Sequence, residues 1–371
     1  MKEEISSLIP WKIREGCHSL LNLPNARALH EARSAILRSE NLVIGFGGVL
    51  DDGRPVHGGA VKLLALRDAF PCDERKFAVL YAVSSSLPQC AEALFKLCRA
   101  RGIKILWNQN GVGYPAWAGR ESERFNRPMR RLREMADFVI YQSQFCKESA
   151  RRFLGPCDAP AEILFNPVDV EKFQPASSRA VGQPLRLLAA GTHGTKDRVI
   201  HVLDMLAMLL RDGIDAALTV AGNFQWPNGE LDFQNHIARR GLQNHVQRVA
   251  RFSQADAASL YTSHHVLIHP KYMDPCPTVV LEAMACGLPV IGSASGGMPE
   301  LVSEECGVLV SAPMDYDKLH TPTGEELADA LKKALPRLPE MSAAARANIV
   351  ARFSIGPWVD SHRRVIEHLL K

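Results

Sequence analysis

The chain lacks several features that would have narrowed its role at once. No apolar run approaches the ~20 residues that cross a bilayer, and the opening MKEEISSLIPWKIREG carries no hydrophobic segment of the signal-peptide kind. A cytoplasmic protein is the expectation. The nine cysteines are scattered, odd in number, and form no C-x-x-C pair. That argues against a disulfide framework and against a cysteine zinc site. Charge of one sign is missing too. Lys and Arg total 44 against 40 Asp and Glu, a net of +4, so no nucleic-acid partner is expected. No repeat or low-complexity tract stands out.

What is present is ordinary in amount and informative in order. The 371 residues are 46% hydrophobic and 23% charged, enough for two domains with cores of their own. Short apolar runs at 42–46, 77–83, 103–107, 138–142 and 162–165 read as buried parallel strands. Helix-period stretches at 60–70 and 90–102 lie between them. A Pro-, Ser- and Gly-rich break follows at 166–184, and the alternation restarts with runs at 185–191, 216–222, 245–252, 265–270, 288–293 and 307–310. The pattern predicts an α/β chain of two Rossmann-like, doubly wound parallel sheets with a cleft between them. The expected division is an N-terminal extension over 1–41, a first domain over 42–168, a second over 169–355, and a helix over 356–371. Ligands of such sheets sit beyond the carboxyl ends of the strands.

The densest segment is HPKYMDPCPTVVLEAMACGLPVIGSASGGMPELV, residues 269–302. A helix starting near Pro277 and ending before Gly287 fits ordinary helix punctuation. It would carry Glu282 inward among Val279, Val280, Ala283 and Met284. A carboxylate in such surroundings needs a partner, and a ribose diol supplies one by donating two hydroxyls. Asp274, in the preceding loop, is placed to hold sugar hydroxyls. The helix N-terminus favours a phosphate.

The order Asp274-x7-Glu282, then AMACGLPV at 283–290, then Gly296-Gly297-Met298-Pro299-Glu300, resembles the donor-site stretch of glycosyltransferase family 4. HGGAVKLLALRDAF at 57–70 resembles that family's Gly-Gly loop and following helix, with Gly58 and Gly59 offering backbone N–H groups to a phosphate or to the transferred sugar. ILFNPVDVEKFQP at 163–175 resembles its interdomain linker, with Pro167 in place of a glycine. GTHGTKDR at 191–198 resembles its phosphate clamp. There Gly191 opens the turn, Lys196 matches the usual lysine, Thr192 or His193 replaces the usual arginine, and Arg198 assists.

The resemblance implies a GT-B fold and a retaining, metal-independent hexosyltransferase. Its donor would be a nucleotide diphosphate sugar, with a UDP-sugar favoured, and it would need no cofactor. Glu282 would hold the ribose and Asp274 the sugar. Lys196 and Arg198, with the Cys276 and Thr278 amides, would hold the diphosphate. The acceptor would be a glycan, a lipid-linked sugar or a small molecule.

Three departures stand out. Asp274 is one methylene shorter than the family's glutamate. Pro275-Cys276-Pro277 replaces Gly-x-Gly, leaving only Cys276 and Thr278 as backbone donors. Asn110 stands where a histidine is usual and can bond to a sugar hydroxyl but cannot act as a base. These departures suggest an alternative, a catalytically silent sugar-nucleotide-binding homologue. His264, His265 and His269 are read as structural, since neighbours on a strand face opposite ways. Residues 96–152 carry thirteen Lys and Arg against five Asp and Glu, which raises peripheral contact with an anionic membrane as an expectation. Tyr114 and Trp117 are candidates to stack on an acceptor sugar.

Overall fold

The protein is described by a computed structural model covering residues 36–50, 61–176, 184–253 and 255–371. Gly58 and Gly59 lie outside these residues. Two parallel sheets form, one on each side of the linker. The first contains β2 (Ile44–Gly45), β4 (Val79–Val83), β5 (Lys104–Gln109), β6 (Phe138–Tyr141) and β7 (Ala161–Ile163), hydrogen-bonded in that order. Beside it β1 (Leu37–Arg38) pairs with β3 (Lys76–Phe77), upstream of the residue 42 boundary expected from the sequence. The second sheet contains β8 (Leu185–Ala190), β9 (Ala216–Ala221), β10 (Val246–Val249), β11 (Val266–His269), β12 (Val290–Ala294) and β13 (Gly307–Ser311). Its order is β10-β9-β8-β11-β12-β13. The direction of succession therefore reverses between β8 and β11, the switch point at which doubly wound sheets bind ligands. Among the described strands the first sheet has no such reversal.

The strands form because their apolar runs bury both faces. β4 is Val-Leu-Tyr-Ala-Val, and all five residues are buried. Helix α1 (Val61–Ala69) covers one face of the first sheet, and α2 (Ala91–Ala100), α3 (Ser122–Arg133) and α4 (Gln144–Leu154) cover the other. In the second domain α5 (Lys196–Arg211) follows β8, and α6 (Thr278–Ala285) follows β11. The last helix, α7 (Ile355–Leu370), packs Trp358, Val365, Ile366 and Leu369 against the first sheet, in one core with α1. The chain thus crosses between domains twice, and the crossings lie side by side. Val168 N–H donates to Phe353 O at 2.8 Å, and Ile355 N–H to Val168 O at 3.1 Å.

Two glycines at the strand ends are required, Gly191 by its positive φ and Gly222 by close approach as well. Gly191 (φ +108°) and Gly222 (φ +107°) end β8 and β9, and a Cβ on Gly222 would lie 2.0 Å from the Gly191 carbonyl oxygen. Gly297 does the same within the second domain, between the turn after β12 and the loop after β11. Its N–H donates to Asp274 O at 2.9 Å, and a Cβ there would lie 2.0 Å from Pro275 O. The Gly-Gly pair is therefore what lets the Asp274 loop lie flat against β12.

Candidate functional site

A cavity of about 630 Å³ opens between the carboxyl ends of the two sheets. From the second domain it is lined by Gly191, Thr192, Arg198, Asp274, Cys276, Thr278 and Glu282. These come from the turn after β8, from α5, and from the loop and helix after β11. From the first domain come Lys62, Ser85, Asn110 and Gln142, at the start of α1 and beyond the ends of β4, β5 and β6.

Asp274 is buried and fixed from two sides. His269 Nε2 lies 3.1 Å and Lys271 Nζ 2.9 Å from the same oxygen, Oδ2. Burial alone would raise its pKa, but Lys271 and His269 outweigh burial and hold the carboxyl well below the usual range. Burial lowers the His269 pKa to about 4, so the ring is neutral. Its Nε2–H donates to Asp274, and its Nδ1 accepts from Arg198 Nη2 at 3.5 Å. Arg198 is anchored by Nη1 to Thr192 O at 2.7 Å and by Nη2 to Ala190 O at 3.2 Å. Its Nε is buried without a hydrogen-bond partner. Glu282 is buried on α6 and accepts from Tyr261 Oη at 2.9 Å. Asn166, at the head of the linker, pins the Cys276 loop, with Nδ2 donating to Cys276 O at 2.7 Å. Its Oδ1 is buried without a partner and belongs to the cavity wall.

The structure brings Asp274, Glu282, Arg198, Gly191, Cys276, Thr278 and Asn110 into one cavity. It does not bring Lys196 there. That side chain is 48% exposed and pairs with Asp232 at 3.1 Å, outside the residues lining the cleft. The reason is helix phase: residues two apart on a helix point ~200° apart, and it is Arg198 that turns inward. His193 is buried beside Phe224, with Nε2 on Ala221 O at 3.0 Å, and plays no part in the cleft. Asn110 is in place, but both ends of its amide are engaged by protein. Oδ1 accepts from Lys62, and Nδ2 donates to Ser85 Oγ at 2.6 Å. Ser85 lines the cavity beside it.

Sequence reasoning missed Lys62, His269, Lys271 and Asn166. Of the three histidines, His264 and His265 bond within the second domain, while His269 supports Asp274. Lys62 was legible in one respect: it sits on the buried face of α1 with Leu63 and Leu66, where a lysine is out of keeping.

A second cavity of about 510 Å³ adjoins the first through Gly111, Thr192, Arg198, Lys271 and Pro275. Tyr114 and Trp117 line it. Tyr114 is buried against Tyr316 and Phe153, whereas Trp117 is 51% exposed. The arginine run on α3 is less of a patch than its count suggests. Arg133 is buried, and Arg124, Arg130 and Arg131 pair with Glu121, Glu123 and Glu92. Among the described residues no helix is long and apolar enough to cross a membrane.

Residues 170–346 match the family model of glycosyl transferases group 1. The lipopolysaccharide core biosynthesis mannosyltransferase LpsB of Rhizobium meliloti is 26% identical over 253 residues, 64% of this chain and 68% of that protein. A GDP-mannose-dependent monoacylated phosphatidylinositol monomannoside mannosyltransferase of Corynebacterium glutamicum is 43% identical over 245 residues, 61% of each chain. Against a phosphatidylinositol N-acetylglucosaminyltransferase subunit of Schizosaccharomyces pombe the matched stretch spans 50% of the relative's length. Among solved structures, Anabaena HepE in complex with UDP superposes with a TM-score of 0.66 at 16% identity, over 90% of this chain and all of that one. Sucrose-phosphate synthase of Thermosynechococcus elongatus gives 0.63 at 19%, over 79% and 74%. The architecture is GT-B.

Proposed function

With residues 170–346 forming a glycosyl transferases group 1 domain, we propose that the protein transfers a hexose from a nucleoside diphosphate sugar to a glycan or lipid-linked acceptor, without a metal and with retention at the anomeric carbon. The observation that carries this reading is the convergence of Asp274, Glu282 and Arg198 on one cavity at the switch point of the second sheet. Glu282 takes the ribose hydroxyls. Arg198, with the backbone at Cys276 and Thr278, takes the diphosphate, and the start of α6 adds its dipole. Asp274 takes the sugar hydroxyls. Because His269 and Lys271 both bond to Oδ2, Oδ1 is presented to the ligand in a fixed orientation.

Chemistry then rests on stabilising the departing diphosphate in a site from which water is excluded. The acceptor hydroxyl gives its proton to the leaving phosphate oxygen, a route that asks no base of Asn110. The Corynebacterium relative is named for GDP-mannose, and the Anabaena structure has been solved with UDP-glucose. A calorimetric screen of UDP-, GDP- and ADP-hexoses therefore tests the donor. One of the three is expected to bind, with Glu282→Gln weakening it at least tenfold. Failure of all three to bind would overturn the reading.

A further inference from the structure

We propose that Lys62 is the cation which the first domain contributes to the phosphate of the bound nucleotide, facing Arg198 across the cleft. The inference rests on the nucleotide-sugar reading and goes beyond it, because Lys62, on the helix after the Gly-Gly loop, lies outside the 191–198 and 269–302 stretches and carries no role in that reading.

Lys62 lines the same cavity as Arg198, Asp274 and Glu282 and is 5% exposed. Its Nζ donates to Asn108 Oδ1 at 2.8 Å and to Asn110 Oδ1 at 2.7 Å, with Gln142 Oε1 at 3.5 Å. All three are neutral amides. No carboxylate among the described residues pairs with it: Asp274 is taken by His269 and Lys271, and Glu282 bonds to Tyr261. A desolvated ammonium resting on dipoles alone keeps its net charge and needs a counter-ion.

The amides are held with their oxygens toward the lysine. Asn108 Nδ2 donates to Tyr81 Oη at 2.8 Å, Tyr81 donates to His362 Nε2 at 3.0 Å, and His362 Nδ1 donates to Trp358 O at 2.9 Å. Asn110 Nδ2 is tied to Ser85. The chain runs from the last helix to the cleft wall and fixes where the ammonium sits before any ligand arrives, which is the arrangement that makes an electrostatic contact effective.

The test is calorimetry on the full chain with UDP, GDP, ADP and inorganic pyrophosphate, comparing wild type with Lys62→Gln and Lys62→Met. Both variants are expected to weaken the nucleoside diphosphate and pyrophosphate at least tenfold, and to leave the matching nucleoside unchanged. A second arm adds glycerol phosphate on top of saturating nucleotide. Loss confined to that arm would place the lysine on an acceptor-borne phosphate and overturn the proposal. A readout without substitution is proton uptake by wild type on nucleotide binding at pH 8.5, from buffers of different ionisation enthalpy. Uptake is expected, and its absence overturns the proposal even where the variants do not fold. Wild-type binding that Glu282→Gln weakens and folded Lys62→Gln does not would sink this inference alone. No nucleotide binding by wild type would sink the nucleotide reading itself.

Discussion

The two domains build the same cleft by different means. The second domain supplies charged side chains that are close in sequence: Lys271, Asp274 and Glu282 follow β11, whose last residue is the neutral His269, and Arg198 follows β8. The first domain supplies neutral amides from the ends of two strands, β5 and β6, with one lysine set upon them. The difference separates tasks. Fixed charges placed by one loop and one helix suit recognition of a polar, anionic donor, whereas a wall of amides and hydroxyls suits closure over it.

The sharpest way to break that contrast is to neutralise the second domain's acid. Asp274→Asn keeps shape and removes the charge that His269 and Lys271 hold in place. Sugar transfer is expected to fall about 10²–10³-fold, the scale for losing one preorganised polar contact at a reacting centre, with the melting transition retained. Turnover within threefold of wild type would show that the carboxylate is structural. Next in size is the choice between two cations on α5. Arg198→Lys should weaken nucleoside diphosphate binding by about tenfold or more, since the buried guanidinium is anchored by a geometry an ammonium does not reproduce. Lys196→Gln should change it less than threefold, because only an exposed pair with Asp232 is lost. The reverse ranking would restore the clamp expected from the sequence.

The unequal legibility of the two domains has the same origin. Every run read as a strand corresponds to a strand, because the central parallel strands are written as near-continuous apolar residues between Gly and Pro breaks, with the half-exposed edge strands β7 and β10 more polar. Asp274 and Glu282 were readable because eight residues span one loop and one helical turn. Lys62, Asn108, Asn110 and Gln142 meet only through the pairing of β5 with β6 and the packing of α1 on the sheet, and no local pattern records that. Lys196 was chosen over Arg198 because an alignment matches residue types without knowing which face of α5 turns inward. The Gly-Gly-x-x-Glu stretch was readable as a motif but not as a contact. Gly297 packs on Pro275, and Glu300 reaches the other domain.

A gentler test uses pH on the first domain's cation. Burial lowers the Lys62 pKa from 10.5 to about 8. The ammonium is the form that attracts phosphate, so nucleotide affinity should fall as pH rises through about 8, by at most tenfold per unit, and Lys62→Gln should be flat there. The groups facing it titrate elsewhere. Burial pushes the Cys146 and Cys276 thiols up to about 12 and His362 down to about 4, raises Tyr81, and Asp274 stays ionised. The sign for folding is opposite. Between about 8 and 10.5 the unfolded chain binds the extra proton, so wild type should gain stability relative to Lys62→Gln as pH rises, by on the order of 3 kcal/mol across the window. A parallel pair of stability curves would refute the lowered pKa of Lys62.

The smallest effect expected tests how the domains are held together. The N-terminus of α4 is capped twice. Ser143 Oγ accepts from Cys146 N within the first domain at 3.1 Å, while Glu300 of the second domain accepts from Gln144 N at 2.7 Å and Phe145 N at 2.9 Å. Both satisfy orphan helix donors, but the Glu300 bonds exist only when the domains are together. Glu300→Gln should therefore cost about 1 kcal/mol of closure, read as an increased scattering radius without ligand and a roughly fivefold weaker nucleotide affinity. Ser143→Ala should cost a similar amount of the first domain's stability and leave closure alone. If both substitutions shift melting and neither shifts the radius, the cap from Glu300 is packing and the cleft is held by the Tyr114–Tyr316 contact instead.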